Sequence, residues 1–189
     1  QVKKAAGSRL AKAVLEAVCK EACDLRVRAQ CASLFVLILR VFAPTCPYGD
    51  DDLERAFAKG LLGKKKGVLR LALSRTARAP TPKKAGGKAK AKASRGDEQE
   101  KWTDELYKRG LFVLETLRDM KACLLLLDMP TDAATVRLVQ ALPACVTEEN
   151  EPQVRPAAVD IVAEVLKEGD ADLTPRVWDA LLCECCEPP

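Results

Sequence analysis

The chain has 189 residues, of which 48% are hydrophobic and 31% are charged, and its formal net charge is +4. A chain of this length and apolar content can bury a core of its own, which excludes a disordered tail and a disulfide-stapled miniprotein. Its complete lack of histidine excludes Ser-His-Asp and Cys-His catalytic arrangements and histidine metal ligands. No Gly-rich phosphate loop is present either, so the sequence predicts a protein that is not an enzyme and uses no cofactor.

No purely apolar run is longer than Leu34 to Leu39, which is far shorter than the roughly 18 residues that a membrane span needs. A signal-peptide pattern is also missing, so we expect a soluble intracellular protein with no membrane partner. The chain starts with Gln1 and stops at Pro189 after an unfinished helical pattern. We therefore expect it to be a fragment of a longer protein.

Three helices are predicted before residue 63. The first has an apolar face, the second runs from Leu25 to Phe42 and is apolar nearly all round, and the third follows the acidic run Asp50 to Asp52. An acidic run suits the positive end of a helix dipole and can cap it. The apolar positions are Leu10, Val14, Leu15 and Val18 in the first helix and Leu53, Phe57 and Leu61 in the third. We expect the second helix, including Phe42, to be buried.

The stretch FAPTCPY, residues 42–48, ends the second helix. Pro44 is sufficient for that, because a proline disfavours helical geometry at the preceding residue. The second proline, Pro47, and the neighbouring Tyr48 need another explanation. A turn stiffened at two points can be a simple helix stop, or it can be a rigid docking site on the surface.

From Leu61 to Gly96 the chain carries twelve basic residues and no acidic one. Val68 to Leu73 can extend a helix, but PTPKKAGGKAKAKASRG, residues 80–96, has no apolar periodicity and is predicted to be disordered. Such a segment can bind phosphate backbones without reading base sequence, or it can be a solvated linker. The candidate nucleic-acid contacts are Lys64, Lys65, Lys66, Lys83, Lys84, Lys88, Lys90 and Lys92. We thus predict helices in residues 1–62, a basic insertion in 63–96 and further helices in 97–189.

The second helical region begins with a long helix predicted from Asp97 to Leu127. The next opens at Thr131 or Asp132, and another contains Val154 and stops at Gly169. The dipeptide Thr174-Pro175 then starts a helix in which we expect Trp178 to be largely buried. No strand pattern competes with these helices, so the predicted class is all-α.

Nine cysteines are present, and most of them lie at apolar helical positions, where a free cysteine behaves as a small buried hydrophobe. Those positions are Cys19, Cys23, Cys31, Cys123 and Cys145. The only cluster, CECC at residues 183–186, has no second cysteine pair and no histidine to complete a zinc site. We therefore expect no metal, and we expect a reducing compartment.

Two helices begin alike. Asp24 lies three residues before Val27-Arg28, and Glu151 lies three residues before Val154-Arg155, an offset of 154 minus 27, or 127 residues. This offset is close to three units of the roughly 40 to 47 residues in HEAT or armadillo repeats, whose acid and arginine side chains can bridge neighbouring repeats. The sequence favours a HEAT/armadillo-type helical repeat array, an α-solenoid, over two unrelated amphipathic helices.

The opening Asp-x-x-Val-Arg helix, followed by RVFAPTCPY and an acidic cap, resembles the N-terminal HEAT region of the "precocious dissociation of sisters" family of cohesin-associated proteins. Residues 111–121 and the segment from Leu166 to Leu182 resemble that family as well. In the family the turn reads A-P-[DE]-A-P-Y, so Thr45 replaces an acid here and Cys46 replaces an alanine.

The resemblance implies a non-enzymatic, chromatin-associated nuclear scaffold that regulates cohesin and sister chromatid cohesion. Its partners would be the kleisin subunit of cohesin and short aromatic-containing peptides of release and protection factors, notably the wings-apart-like protein. The peptide would bind at Ala43, Pro44, Pro47 and Tyr48. The alternative is a generic HEAT or armadillo adaptor whose basic loop binds nucleic acid.

Overall fold

A computed structural model of the protein describes residues 2–43, 46–63, 66–73, 93–146, 152–169 and 173–186. The elements in chain order are α1 (Val2–Cys19), α2 (Leu25–Phe42), α3 (Asp50–Arg55), a π-helix (Ala56–Leu61), α4 (Val68–Leu73), α5 (Ala93–Asp119), a 3-10 helix (Ala122–Leu126), α6 (Ala133–Cys145), α7 (Val154–Gly169) and α8 (Pro175–Cys186). These residues form no strand. The all-α prediction is confirmed, and the arrangement fits a fragment of a helical repeat array.

Among the described helices, none combines the length and apolar character that a membrane crossing requires.

Sequential helices pack against each other, with α5 in a central position. Helix α1 packs on α2, α5 contacts α2, α4 and α7, and α6 contacts α7 and α8. One main core extends through α1 to α7, and Phe35, Phe57 and Leu114 are among its fully buried side chains. A second, small cluster holds α8 against α6. Among its described side chains, α8 is therefore attached through this separate cluster and not through the main core.

Arg28, from the first Asp-x-x-Val-Arg motif, is buried with 2% of its surface exposed. Its Nε donates to the carbonyl of Val18 at 3.2 Å, and its Nη2 donates to the carbonyl of Gly60 at 3.4 Å. These carbonyls lie at the ends of α1 and of the π-helix, where helical carbonyls lack partners within their own helix. Arg28 thus ties two helix ends to α2, instead of forming the acid–arginine bridge that the repeat pattern suggested.

The two similar helices are not equivalent in the register that their sequences suggested. Val27 is 50% exposed whereas Val154 is fully buried, and Arg155 is exposed whereas Arg28 is buried. The buried faces of the two helices align when Val154 is matched with Arg28 instead of Val27. Arg28, Ala32, Phe35 and Leu39 match Val154, Ala158, Ile161 and Val165, an offset of 154 minus 28, or 126 residues. The 127-residue alignment is therefore wrong, because it superimposes sequence motifs rather than packed faces.

Several side chains that we expected in the core are exposed. Helix α2 packs along one side only, so the expectation that it is buried all round, Phe42 included, is wrong: Phe42 is 44% exposed. Trp178, expected to be buried, is 41% exposed, because α8 buries Val177 and Ala180 and turns its other side outward. Leu10 is exposed as well, whereas Val14, Leu15 and Val18 are buried as predicted.

Helix boundaries follow the predictions at some positions and depart from them at others. Helix α6 begins after Asp132, and α8 begins at Pro175, as the sequence indicated. Helix α5 ends at Asp119, eight residues before the predicted end at Leu127, because Lys121 adopts a left-handed conformation with φ of 52°. A chain with that backbone angle cannot continue a right-handed helix.

Helix α4 lies within the 63–96 stretch that was predicted as an insertion. Its Val68, Leu69 and Leu73 are fully buried. Its close packing depends on Gly110 of α5, since a Cβ atom added there would lie 2.8 Å from the Cβ of Ala72. Residues 66–73 are thus part of the folded array, while the low-complexity residues 80–92 lie outside the described residues.

Candidate functional site

The turn between α2 and α3 contains the four residues predicted to bind a peptide. Ala43 and Pro47 are exposed on the surface, and Pro44 lies outside the described residues. Tyr48, in contrast, is only 6% exposed. The turn therefore presents Ala43 and Pro47 to solvent and directs its aromatic residue into the core.

The ring of Tyr48 packs against Phe35 of α2 with ring centroids 5.0 Å apart. Phe35 in turn meets Phe57 of the π-helix edge to face at 6.1 Å, a favourable arrangement for two aromatic rings. The three rings connect the turn with the two elements beside it. Tyr48 thus anchors the turn, which does not match our sequence-based view that it offers an aromatic face to a partner.

The hydroxyl of Tyr48 is buried and has no hydrogen-bond partner among the described residues. Burial raises the pKa of this phenol well above its ordinary value, and the neighbouring Cys46 and Asp52 add to that effect. A buried hydroxyl without a partner costs folding free energy. An apolar ring would therefore suit this position better than the phenol of tyrosine, because the hydroxyl forms no hydrogen bond with the described residues.

The surface next to the turn is apolar on its α2 side. Val41 and Phe42 end the helix and are exposed, and the exposed Leu37 and Leu34 lie about one and two turns before Val41 on the same side. Pro47, in the turn that follows, is exposed as well. We call these five residues the turn-proximal strip. Sequence analysis missed the strip because a helix that is apolar on two sides does not reveal which side faces solvent.

The surface on the α3 side is acidic. Asp50 and Asp51 are exposed in the first turn of α3, whose N-cap residue is Gly49 and not one of the aspartates. In the described part of the chain, neither carboxylate forms an ion pair, whereas Asp52 lies 3.7 Å from Arg55. The turn thus separates an apolar surface from a negatively charged one, which suits a segment with an apolar residue next to a basic one.

Of the lysines predicted to contact nucleic acid, Lys66 alone lies within the described residues. It is exposed, and its ammonium group is 3.0 Å from a carboxylate oxygen of Glu21. Lys64, Lys65, Lys83, Lys84, Lys88, Lys90 and Lys92 lie outside the described residues. Nucleic-acid binding by the basic stretch therefore stays a prediction.

Two cysteines of the described residues lie in the core, where burial disfavours the reactive thiolate. Cys123 and Cys145 are buried, and burial raises the pKa of Cys123 to about 12 and that of Cys145 to about 11. Cys19, Cys23 and Cys31, expected in the core, are only half-buried. No group of three metal-ligating side chains comes together within the described ranges.

Comparison with known proteins gives one match. A family model described as "Sister chromatid cohesion protein PDS5 protein" matches residues 10–187. A comparison with curated proteins found no match, and neither did a comparison with solved structures. The match covers α2, the turn, α3 and all later helices to α8.

Proposed function

The chain belongs to the PDS5 family of sister chromatid cohesion proteins, and on that premise we propose that it is a scaffold that docks a short peptide at the turn between α2 and α3. Its role in sister chromatid cohesion follows from the family. The finer function that we propose is the binding of the kleisin subunit and of short motifs from cohesin release and protection factors, such as the wings-apart-like protein. Such a scaffold acts in the nucleus on chromatin and performs no catalysis.

The observation that supports docking is the pairing of an anchored turn with an exposed apolar strip. The aromatic packing of Tyr48 on Phe35 holds the turn in place, so little backbone entropy is lost when a peptide binds. The turn-proximal strip keeps Val41 and Phe42 at the surface. An apolar or aromatic side chain of the peptide can bury itself against these residues.

The charge beside the turn supports a basic residue next to that apolar anchor. Thr45 and Cys46 replace the acid and the alanine of the family turn, so the turn itself supplies no negative charge. Asp50 and Asp51 do, at the start of α3. Their position at a helix N-terminus leaves their carboxylates stabilised yet still exposed to a partner.

The experiment is a titration of the chain with a labelled peptide of the release factor that contains an aromatic residue and an arginine. We compare the unsubstituted chain with the double variant Phe42→Ser, Pro47→Ser. The variant is expected to bind about 10-fold to 100-fold more weakly, since the loss of an anchor at a small interface costs roughly 1 to 3 kcal/mol. Circular dichroism should be unchanged because both residues are exposed.

Trp178→Ser is the matched control. Trp178 is as exposed as Phe42 but lies on α8, away from the turn. It should leave the peptide affinity unchanged, which separates a specific loss from a general loss of surface hydrophobicity. Equal affinity of the folded double variant and the unsubstituted chain would reject the turn as the docking site.

A further inference from the structure

Thr174, which directly precedes α8, is held by a carboxylate of another helix. Its hydroxyl donates to Oδ2 of Asp132 at 2.7 Å, and Nη1 of Arg176 donates to Oδ1 of the same residue at 3.1 Å. Asp132 is the N-cap residue of α6. One carboxylate therefore joins the beginning of α8 to the beginning of α6. We call this arrangement of Thr174, Arg176 and Asp132 the carboxylate clamp.

The apolar packing of α8 is a small cluster of its own. Val177 and Ala180 are buried against Val139 of α6 in a cluster that is separate from the main core. The opposite side of α8 carries Trp178 and Leu182, which are exposed. Leu173 and Leu181 pack partly buried against the same cluster, and the polar clamp adds charge-assisted hydrogen bonds to this apolar docking.

We propose that Thr174 is a phosphorylation site of a proline-directed protein kinase, and that phosphorylation releases α8 from α6. Thr174 is half-buried and is followed by the exposed Pro175 and Arg176, and a Thr-Pro dipeptide is the minimal motif of such kinases. In the reaction, Oγ1 of Thr174 attacks the γ-phosphorus of a nucleoside triphosphate. The bond to the bridging oxygen breaks, the nucleoside diphosphate leaves, and a base of the kinase takes the hydroxyl proton.

Phosphorylation turns the attraction between Thr174 and Asp132 into a repulsion. The hydroxyl proton that bonds to Asp132 is lost, and a phosphate with a charge of about −1.5 to −2 takes its place beside a carboxylate. Before phosphorylation the charges of Asp132 and Arg176 balance. Afterwards the single cation of Arg176, which is 75% exposed, faces two anionic groups and cannot neutralise both.

Phosphorylation acts on the docking of α8, and an undocked helix of 12 residues is only marginally stable in water, so its amides exchange faster after release. A phosphate at the N-terminal end of α8 interacts favourably with the helix dipole, whereas its repulsion from Asp132 acts only between α8 and α6. Release would expose Val139, Val177 and Ala180. It would also open the neighbouring apolar groove of about 520 Å³, which is lined by Val159, Val162 and Leu181 among others.

The test uses the full chain treated with a cyclin-dependent kinase and ATP. The other Thr-Pro dipeptide, Thr81-Pro82, is removed by Thr81→Ala so that Thr174 is the only such site. Mass spectrometry should place the phosphate on Thr174. Hydrogen exchange of the amides in α8 should become about tenfold faster or more, the scale of a lost charge-assisted hydrogen bond, while exchange in α7 stays unchanged.

Asp132→Asn, in the same Thr81→Ala background, tests the physical cause. The amide carries no charge and can donate to the phosphate, so phosphorylation should change exchange in α8 by less than about twofold relative to the unphosphorylated variant. Equal acceleration with and without Asp132 would overturn the proposed mechanism. So would unchanged exchange in the phosphorylated chain, or a lack of phosphate on Thr174 under conditions that label Thr81 in the unsubstituted chain.

Discussion

Tyr48→Ala should lower the stability of the protein, whereas Tyr48→Phe should not. Tyr48→Ala removes a ring that packs at 5.0 Å from Phe35, and a cavity of this kind costs about 3 to 5 kcal/mol. Tyr48→Phe keeps the ring and removes a buried hydroxyl that has no partner among the described residues. It should leave the free energy of unfolding unchanged or raise it by about 1 to 2 kcal/mol.

Urea unfolding followed by circular dichroism measures both free energies. At a chain length of about 190 residues, the alanine variant should melt about 10 °C lower. The phenylalanine variant should also lose less stability at alkaline pH. The phenol keeps its proton in the folded state at pH values where it ionises in the unfolded chain, so stability is present below pH ~10 and falls above it.

A clear loss of stability in Tyr48→Phe would refute this reasoning, because it would mean that the hydroxyl is paired in the folded protein. Peptide binding gives a second measurement. If Tyr48 only anchors the turn, Tyr48→Phe should bind the release-factor peptide as tightly as the unsubstituted chain. Weaker binding in this variant would indicate that the hydroxyl contacts the peptide.

Three further outcomes are expected. Arg28→Leu should destabilise the protein by about 2 kcal/mol or more because two buried carbonyls lose their donor, whereas Arg155→Leu, at the exposed counterpart, should change the unfolding free energy by less than about 0.5 kcal/mol. The free energy of unfolding should fall as pH rises from about 9 towards 12, because the folded chain keeps the thiol proton of Cys123. Cys123→Ala should reduce that fall by up to about 1.4 kcal/mol per pH unit. Deletion of residues 80–92, which ends before α5, should leave the melting temperature nearly unchanged and weaken any salt-sensitive DNA binding measured by fluorescence anisotropy; equal DNA affinity after the deletion would contradict DNA contacts by Lys83 to Lys92.

Local signals in the sequence were sufficient for much of the fold. Pro175 at the first position of α8 and Asp132 before α6 identified two helix starts correctly, because capping and proline preferences depend on only a few neighbouring residues. The end of α5 was not predictable in this way. Lys121 leaves the helix through a left-handed conformation, although its residue type has no preference for that geometry.

The candidate site depends on tertiary packing, and this explains why the sequence predicted it only in part. The two prolines and Tyr48 marked the turn, but the exposed side of α2 followed from which helices cover it. Arg28 is buried because it reaches carbonyls 10 and 32 residues away in the chain. Periodicity within one helix contains no information on such partners, so Phe42 was assigned to the core and Arg28 to a bridge between repeats.

The most direct test of the proposed function is purification of the tagged protein from dividing cells, followed by mass spectrometry of the bound proteins. The unsubstituted protein should retain the cohesin subunits, including the kleisin, together with the release factor. The Phe42→Ser, Pro47→Ser variant should keep the cohesin subunits and lose most of the release factor. Absence of cohesin subunits from the unsubstituted protein would contradict the proposed scaffold, and full retention of the release factor by the variant would contradict docking at the turn.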